Sequence, residues 1–245
     1  MQFKQAGWAL LILIIGAVIF GLLASKTNPG TMPIVQGAPI LAGTETKEGD
    51  FLYTEDAPYY TIEARYPAHE PVVEQAVADR IEEFKKNGDF ANLTAEDINI
   101  QGLGPDRKYA LDMEYKTYIS PNTVSYAYTI YEDTLGAHPN VYFKTFVFDQ
   151  NDTQLTIKDI LASNSNGLEE LSLLVSNDVV AQYKERAQVD DTTGLIYDEG
   201  LAPKEDNFSN FVIDRDTLVI QIPPYQVAAY AVGSFEVRIK LTDIQ

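Results

Sequence analysis

The chain has 245 residues with 36 acidic and 18 basic side chains, a formal charge of -18 that repels phosphate and excludes nucleic acid as a partner. The absence of cysteine excludes disulfides, thiolate metal sites, cysteine nucleophiles and lipid attachment through cysteine. A hydrophobic share of 45% with 15 Tyr and 11 Phe points to a folded chain rich in β-structure.

No charge interrupts the chain between Lys4 and Lys26, and residues 7–24 are almost wholly apolar, long enough to cross a hydrocarbon layer of roughly 30 Å. Bulky Leu22 stands where signal cleavage after Ala24 needs a small residue, so residues 1–26 are read as an uncleaved membrane anchor. Lys4 lies before the segment, and acids dominate after Lys26. The expected topology is a single-pass membrane protein with a cytoplasmic N-terminus and the folded part on the extracytoplasmic face. Beyond residue 26 the chain carries 16 bases against 36 acids, a net of -20.

Residues 27–57 hold four glycines and prolines in their first eleven positions, and their Pro/Gly/Thr content shows no apolar period, which predicts a flexible tether. The alternation of Tyr60, Ile62, Ala64 and Tyr66 with polar residues predicts a strand that Pro67 stops. Val73, Val77, Ile81 and Phe84 then mark one face of a helix ending near Asn87-Gly88. An irregular stretch with Gly102, Gly104 and Pro105 follows. Leu111, Met113 and Ile119 alternate with acids, and beyond Pro121-Asn122 the alternation resumes at Val124, Tyr126, Tyr128 and Ile130, which predicts an antiparallel hairpin. Residues 141–148 form another expected strand, and residues 155–161 a short strand and turn. Leu171, Val175 and Val179 repeat at helical spacing toward Tyr183, with Asn166 or Ser165 as the N-cap. Residues 189–206 form an acidic loop, and strands close the chain at 211–213, 218–222 and 235–241. The expected fold class is α+β: an N-terminal transmembrane helix, a tether, and two units at 58–134 and 135–245, each with one helix packed on an antiparallel sheet.

Two stretches resemble a known family. One is Leu135-Gly136-Ala137-His138-Pro139-Asn140 with Leu155-Thr156-Ile157-Lys158-Asp159-Ile160-Leu161 downstream. The other is Ile222-Pro223-Pro224-Tyr225-Gln226-Val227-Ala228-Ala229-Tyr230-Ala231-Val232-Gly233 after the strand at 218–222. They are similar to a bacterial domain of undefined function. It is found in RsiV-type lysozyme-sensing anti-sigma factor ectodomains and in the N-terminal region of PdaC-type peptidoglycan deacetylases, where a smaller partner domain precedes it. The resemblance implies an extracytoplasmic binding or sensing module for peptidoglycan or a basic envelope protein such as a lysozyme. Few residues precede the apolar segment and the chain stops at Gln245, so neither a sigma-binding nor a metal-dependent catalytic domain is expected. The alternative is a carboxylate-dependent enzyme acting on cell-wall glycan.

The ligand-binding candidates are His138, Asn140, Tyr225 and Tyr230 from the two signatures, and Asp190, Asp191, Asp198 and Glu199 from the acidic loop, whose charge would steer a cationic protein. No catalytic residue, cofactor or metal site is expected. His69 lacks the second histidine of a zinc-protease helix and reads as an exposed helix-start residue, and the acidic loop lacks the spacing of a calcium loop. Tyr118, Tyr131 and Tyr142 alternate opposite the apolar faces and suggest a platform for sugar rings.

Overall fold

The amphipathic segments assemble in the order helix, sheet, sheet, helix. The structure is a computed structural model that describes residues 41–46, 49–195 and 197–244. The expected membrane segment lies outside the described residues, and among those residues no helix is long and apolar enough to cross a membrane. Within the compact unit Pro39–Gln245, six strands form one sheet in sequence order. They are β1 (Thr44–Glu45), β2 (Phe51–Asp56), β3 (Tyr60–Tyr66), β4 (Tyr109–Ile119), β5 (Thr123–Asp133) and β6 (Asn140–Asp149). Helices α1 (Pro71–Gly88) and α2 (Ala95–Gln101) lie in the connection between β3 and β4. After β6 come α3 (Ile157–Ile160), α4 (Gly167–Ala187) and α5 (Tyr197–Gly200). A three-stranded sheet of β7 (Phe211–Asp214), β8 (Thr217–Ile222) and β9 (Phe235–Lys240) closes the fold.

α1 buries Val73, Val77, Ile81 and Phe84 on one face of the large sheet, against Ile62, Leu111, Met113 and Tyr128. α4 places Leu171, Val175, Val179 and Tyr183 on the small sheet, against Leu218, Ile220 and Val237. Between the sheets, Val212 and Val219 meet Ala127. The small sheet is therefore covered on both faces, which is why β7 and β8 read as nearly continuous apolar runs.

β7 is the edge of its sheet, and an edge strand inside a protein leaves costly unpaired backbone groups. Hydroxyls from the large sheet satisfy them. Thr145 Oγ1 accepts from Phe211 N at 2.9 Å, Ser125 Oγ from Ile213 N at 3.2 Å, and Ser120 Oγ from Arg215 N at 2.8 Å while donating to Ile213 O at 2.9 Å. Ser125 and Thr145 are among the few buried polar residues for this reason.

Several expectations need correction. The tether expected over 27–57 contains β1 and β2; β2 pairs with β3 along six residues and β1 with β2 along two, backbone partners that an alternation search does not detect. The first sheet is not purely antiparallel: β3 and β4 run parallel, because the long connection carrying α1 acts as the crossover that parallel neighbours require. The boundary expected after residue 134 falls between β5 and β6, which pair along ten residues, so one sheet crosses it. Residues 157–160 are helical. Thr156 and Asp159 form a reciprocal capping box there, as Thr94 and Asp97 do for α2, both in stretches expected to be strand or irregular. Asn166 occupies the N-cap position of α4 without a side-chain capping bond, and Ile119, assigned to the buried face, is 75% exposed beside the hairpin turn.

Candidate functional site

Two connections that are distant in sequence bring the signature residues together. His138 lies on the link between β5 and β6, and Tyr225 and Tyr230 on the link between β8 and β9. The His138 imidazole stacks on Tyr230 at a centroid distance of 3.8 Å and an interplanar angle of 13°. Its Nε2 lies 3.0 Å from the Tyr225 hydroxyl, and Tyr225 and Tyr230 have centroids 5.6 Å apart. Nδ1 is 2.9 Å from the Pro139 carbonyl, which can only accept, so Nδ1 carries a proton, and in the neutral form of the ring Nε2 accepts from Tyr225 O–H.

Tyr225 has φ 71, in the left-handed region that an aromatic residue seldom adopts. Pro223 and Pro224 enter this turn, and Gln226 N bonds back to Pro223 O. The turn holds the Tyr225 ring 60% exposed instead of folding it into the core. Next to it, Gln226 Nε2 donates to Gly200 O at 2.8 Å and to Asn207 O at 2.9 Å, while Leu195 bridges Ala228. A Cβ at position 200 would fall 1.9 Å from Gln226 O, so only glycine permits this approach.

The acidic segment is thus fixed against the aromatic turn. Leu195, Leu201 and Phe208 are buried beneath it, whereas Asp190, Asp191 and Glu199 point to solvent. Asp191 accepts from Thr193 N and Oγ1, and these bonds lower its pKa; Glu199 pairs with Lys204 at 2.9 Å. Asp198 lies in α5, and its side chain is outside the described part. Asn140 begins β6 opposite Glu132, two residues after His138. His69 is exposed just before α1, as expected.

The three tyrosines expected as one platform separate. Tyr118 packs between the sheets against Val212 and Val219. Tyr142 lies on the α1 side, with the Arg80 guanidinium 5.9 Å over its ring. Tyr131 shares the sheet face of Tyr118 but lies at its other end, near Tyr230. Partial burial, then Asp133, Asp112 and Tyr230 nearby, push its hydroxyl above the ordinary value.

Sequence reasoning missed a cavity of about 530 Å³ between α1 and edge strand β6. Val77, Met113, Ile130 and Phe146 line it together with Arg80, which pairs with the buried Glu132 at 2.9 Å. Helical periodicity marks Val77 as core but cannot show that β6 leaves the helix flank uncovered. It also missed the carboxylate at Glu55. Burial opposes its ionisation, but hydrogen bonds from Lys85, Tyr53 and Tyr60 hold its pKa down to about 2, while Tyr60 is pushed up to about 12 by burial and by Glu55.

Residues 158–242 match a family described as a protein of unknown function, DUF3298. Tyr225 and Tyr230 fall inside that stretch and His138 upstream of it. Over 136 residues the chain is 32% identical to the peptidoglycan-N-acetylmuramic acid deacetylase PdaC of Bacillus subtilis (strain 168), covering 55% of this chain but only 28% of that relative. The crystal structure of a DUF3298 family member from Bacteroides fragilis superposes with a TM-score of 0.55 at 20% identity, covering 79% of this chain and 89% of that one. That likeness concerns the fold alone.

Proposed function

We propose that this chain is an extracytoplasmic module, anchored through residues 7–24, that binds cell-envelope glycan at His138, Tyr225 and Tyr230. The observation that carries this reading is the half-buried stack of His138 on Tyr230, beside which a left-handed backbone holds Tyr225 exposed. Flat, rigid rings exposed at low conformational cost suit the apolar faces of sugar rings, and the identity to a peptidoglycan deacetylase supports peptidoglycan as the polymer.

The test is co-sedimentation of the full chain with purified peptidoglycan. Replacing Tyr225 and Tyr230 together by Ala should weaken binding about tenfold or more, since each ring contact contributes roughly 1 kcal/mol. Undiminished binding by the folded double variant sinks the reading. Release of the chain from membranes by carbonate washing would remove the anchor from it.

A cationic envelope protein is the second reading, favoured by exposed Asp190, Asp191 and Glu199 on a rigidly held segment of a chain at -18. It requires binding to a lysozyme that weakens steeply with salt. The carboxylate-dependent enzyme gains no support from the cavity between α1 and β6, which is lined by neither His138 nor Tyr225.

A further inference from the structure

The large sheet continues the aromatic site in a direction that no signature marks. Glu63, Asp112 and Tyr131 are directly opposite one another on β3, β4 and β5, so their side chains project from one face in one row. This is the face toward the small sheet, but the row lies beyond the part that β7 covers, and all three side chains are exposed. Tyr131 stands at the end of the row, and Tyr230 of the aromatic cluster is near enough to push its hydroxyl pKa upward.

The row is poorly arranged for stability. Like charges on directly opposed residues of neighbouring strands destabilise a sheet. Among the described residues no base lies within ion-pair distance of Glu63 or Asp112, and the nearby Arg65 is engaged by Glu114 at 3.1 Å. Burial, then Glu63 and Glu114, raise the pKa of Asp112, as expected of a carboxylate without a counter-charge. A cation supplied from outside would remove this penalty. Two strand spacings separate Glu63 from Tyr131, about 10 Å, a distance that two linked sugar rings span.

We infer that Glu63, Asp112 and Tyr131, together with the His138–Tyr230 stack, select a glycan whose hexopyranose rings carry protonated, unacetylated amines. One ring stacks on Tyr131 or Tyr230 while the amine of its neighbour sits between the two carboxylates, exchanging part of its water for charge-assisted hydrogen bonds. This assignment rests on the glycan-binding reading and narrows it: an acetylated amide carries no charge to offer the row.

Calorimetry of the full chain against a glucosamine hexasaccharide and an N-acetylglucosamine hexasaccharide, at a pH where the free amine is protonated, decides the matter. The unacetylated oligomer should bind about tenfold tighter. The double variant Glu63→Gln and Asp112→Asn should lose that preference and keep its affinity for the acetylated oligomer. Because it relieves a repulsion it should remain folded, and Asp112→Asn alone should move the preference in the same direction. Equal affinities for the two oligomers, or tighter binding of the acetylated one, overturn the inference while glycan binding stands. A preference that persists in the variants also overturns it, by assigning the attraction to the overall negative charge. If neither oligomer nor peptidoglycan binds, both readings fall.

Discussion

Under α1, Tyr115, Tyr126 and Tyr128 pack on one another and each sends its hydroxyl to a fixed acceptor: Asp50 at 2.5 Å, Glu70 at 3.2 Å and the Arg65 carbonyl at 3.1 Å. Toward the other end of β5, His138, Tyr225 and Tyr230 stack at a similar range of distances, but His138 and Tyr230 are only half-buried and Tyr225 is exposed. The two groups share their chemistry and differ in what surrounds it. In the first, burial and neighbouring negative groups raise all three tyrosine pKa values, so the hydroxyls remain neutral donors and the cluster acts as packing. In the second, a backbone cost is tolerated to keep a ring in the open, which is the distribution of strain that recognition sites show.

Removing a ring from each group separates these roles. Tyr128→Ala, at a position only 1% exposed, should cost about 3 to 5 kcal/mol through the cavity it leaves, and scanning calorimetry should find Tm lowered by roughly 10 °C. A loss below about 1 kcal/mol would mean that this cluster is not core.

The buried side also predicts a pH dependence. Glu55 has a folded value of about 2 against an ordinary 4.5, so its pairing contributes stability above about pH 4.5, and the contribution disappears as pH falls toward 2. The side chain keeps 29% of its surface exposed, so solvent screening limits the effect to the order of 1 kcal/mol. Acid titration of Tm should therefore be flatter for Glu55→Gln than for the parent in that window, and identical slopes would contradict the network.

The smallest and most diagnostic change is Tyr225→Gly. Glycine adopts a positive φ without penalty, so relief of the backbone should stabilise the fold by at most about 1 kcal/mol, partly offset by the lost bond to His138. Peptidoglycan binding should fall at the same time. Stability and binding moving in opposite directions is the result that a purely structural Tyr225 cannot produce.

Periodicity is a local property, and the elements it located were those whose pattern is written within one segment. Val73, Val77, Ile81 and Phe84 declared α1, and the alternation from Tyr126 to Ile130 declared half of a hairpin. The capping boxes at Thr94 and Thr156 were not read from the sequence, because a short helix with little apolar periodicity gives them no context. β1 and β2 were not legible, because β2 is a strand by pairing with the free edge of β3 and β1 by pairing with β2, partners supplied by the fold.

The site divides in the same way. The sequence alone pointed to His138, Tyr225 and Tyr230 through the family signatures they belong to, and to an acidic chain without cysteine chemistry. Only the tertiary structure brought His138 against two rings 87 and 92 positions away, separated Tyr118 and Tyr142 from Tyr131, and aligned Glu63 with Asp112 across a parallel pair. Opposition across strands depends on register, and the exposure of a ring depends on what fails to cover it. Both are set by how the chain packs against itself, which a linear pattern does not contain.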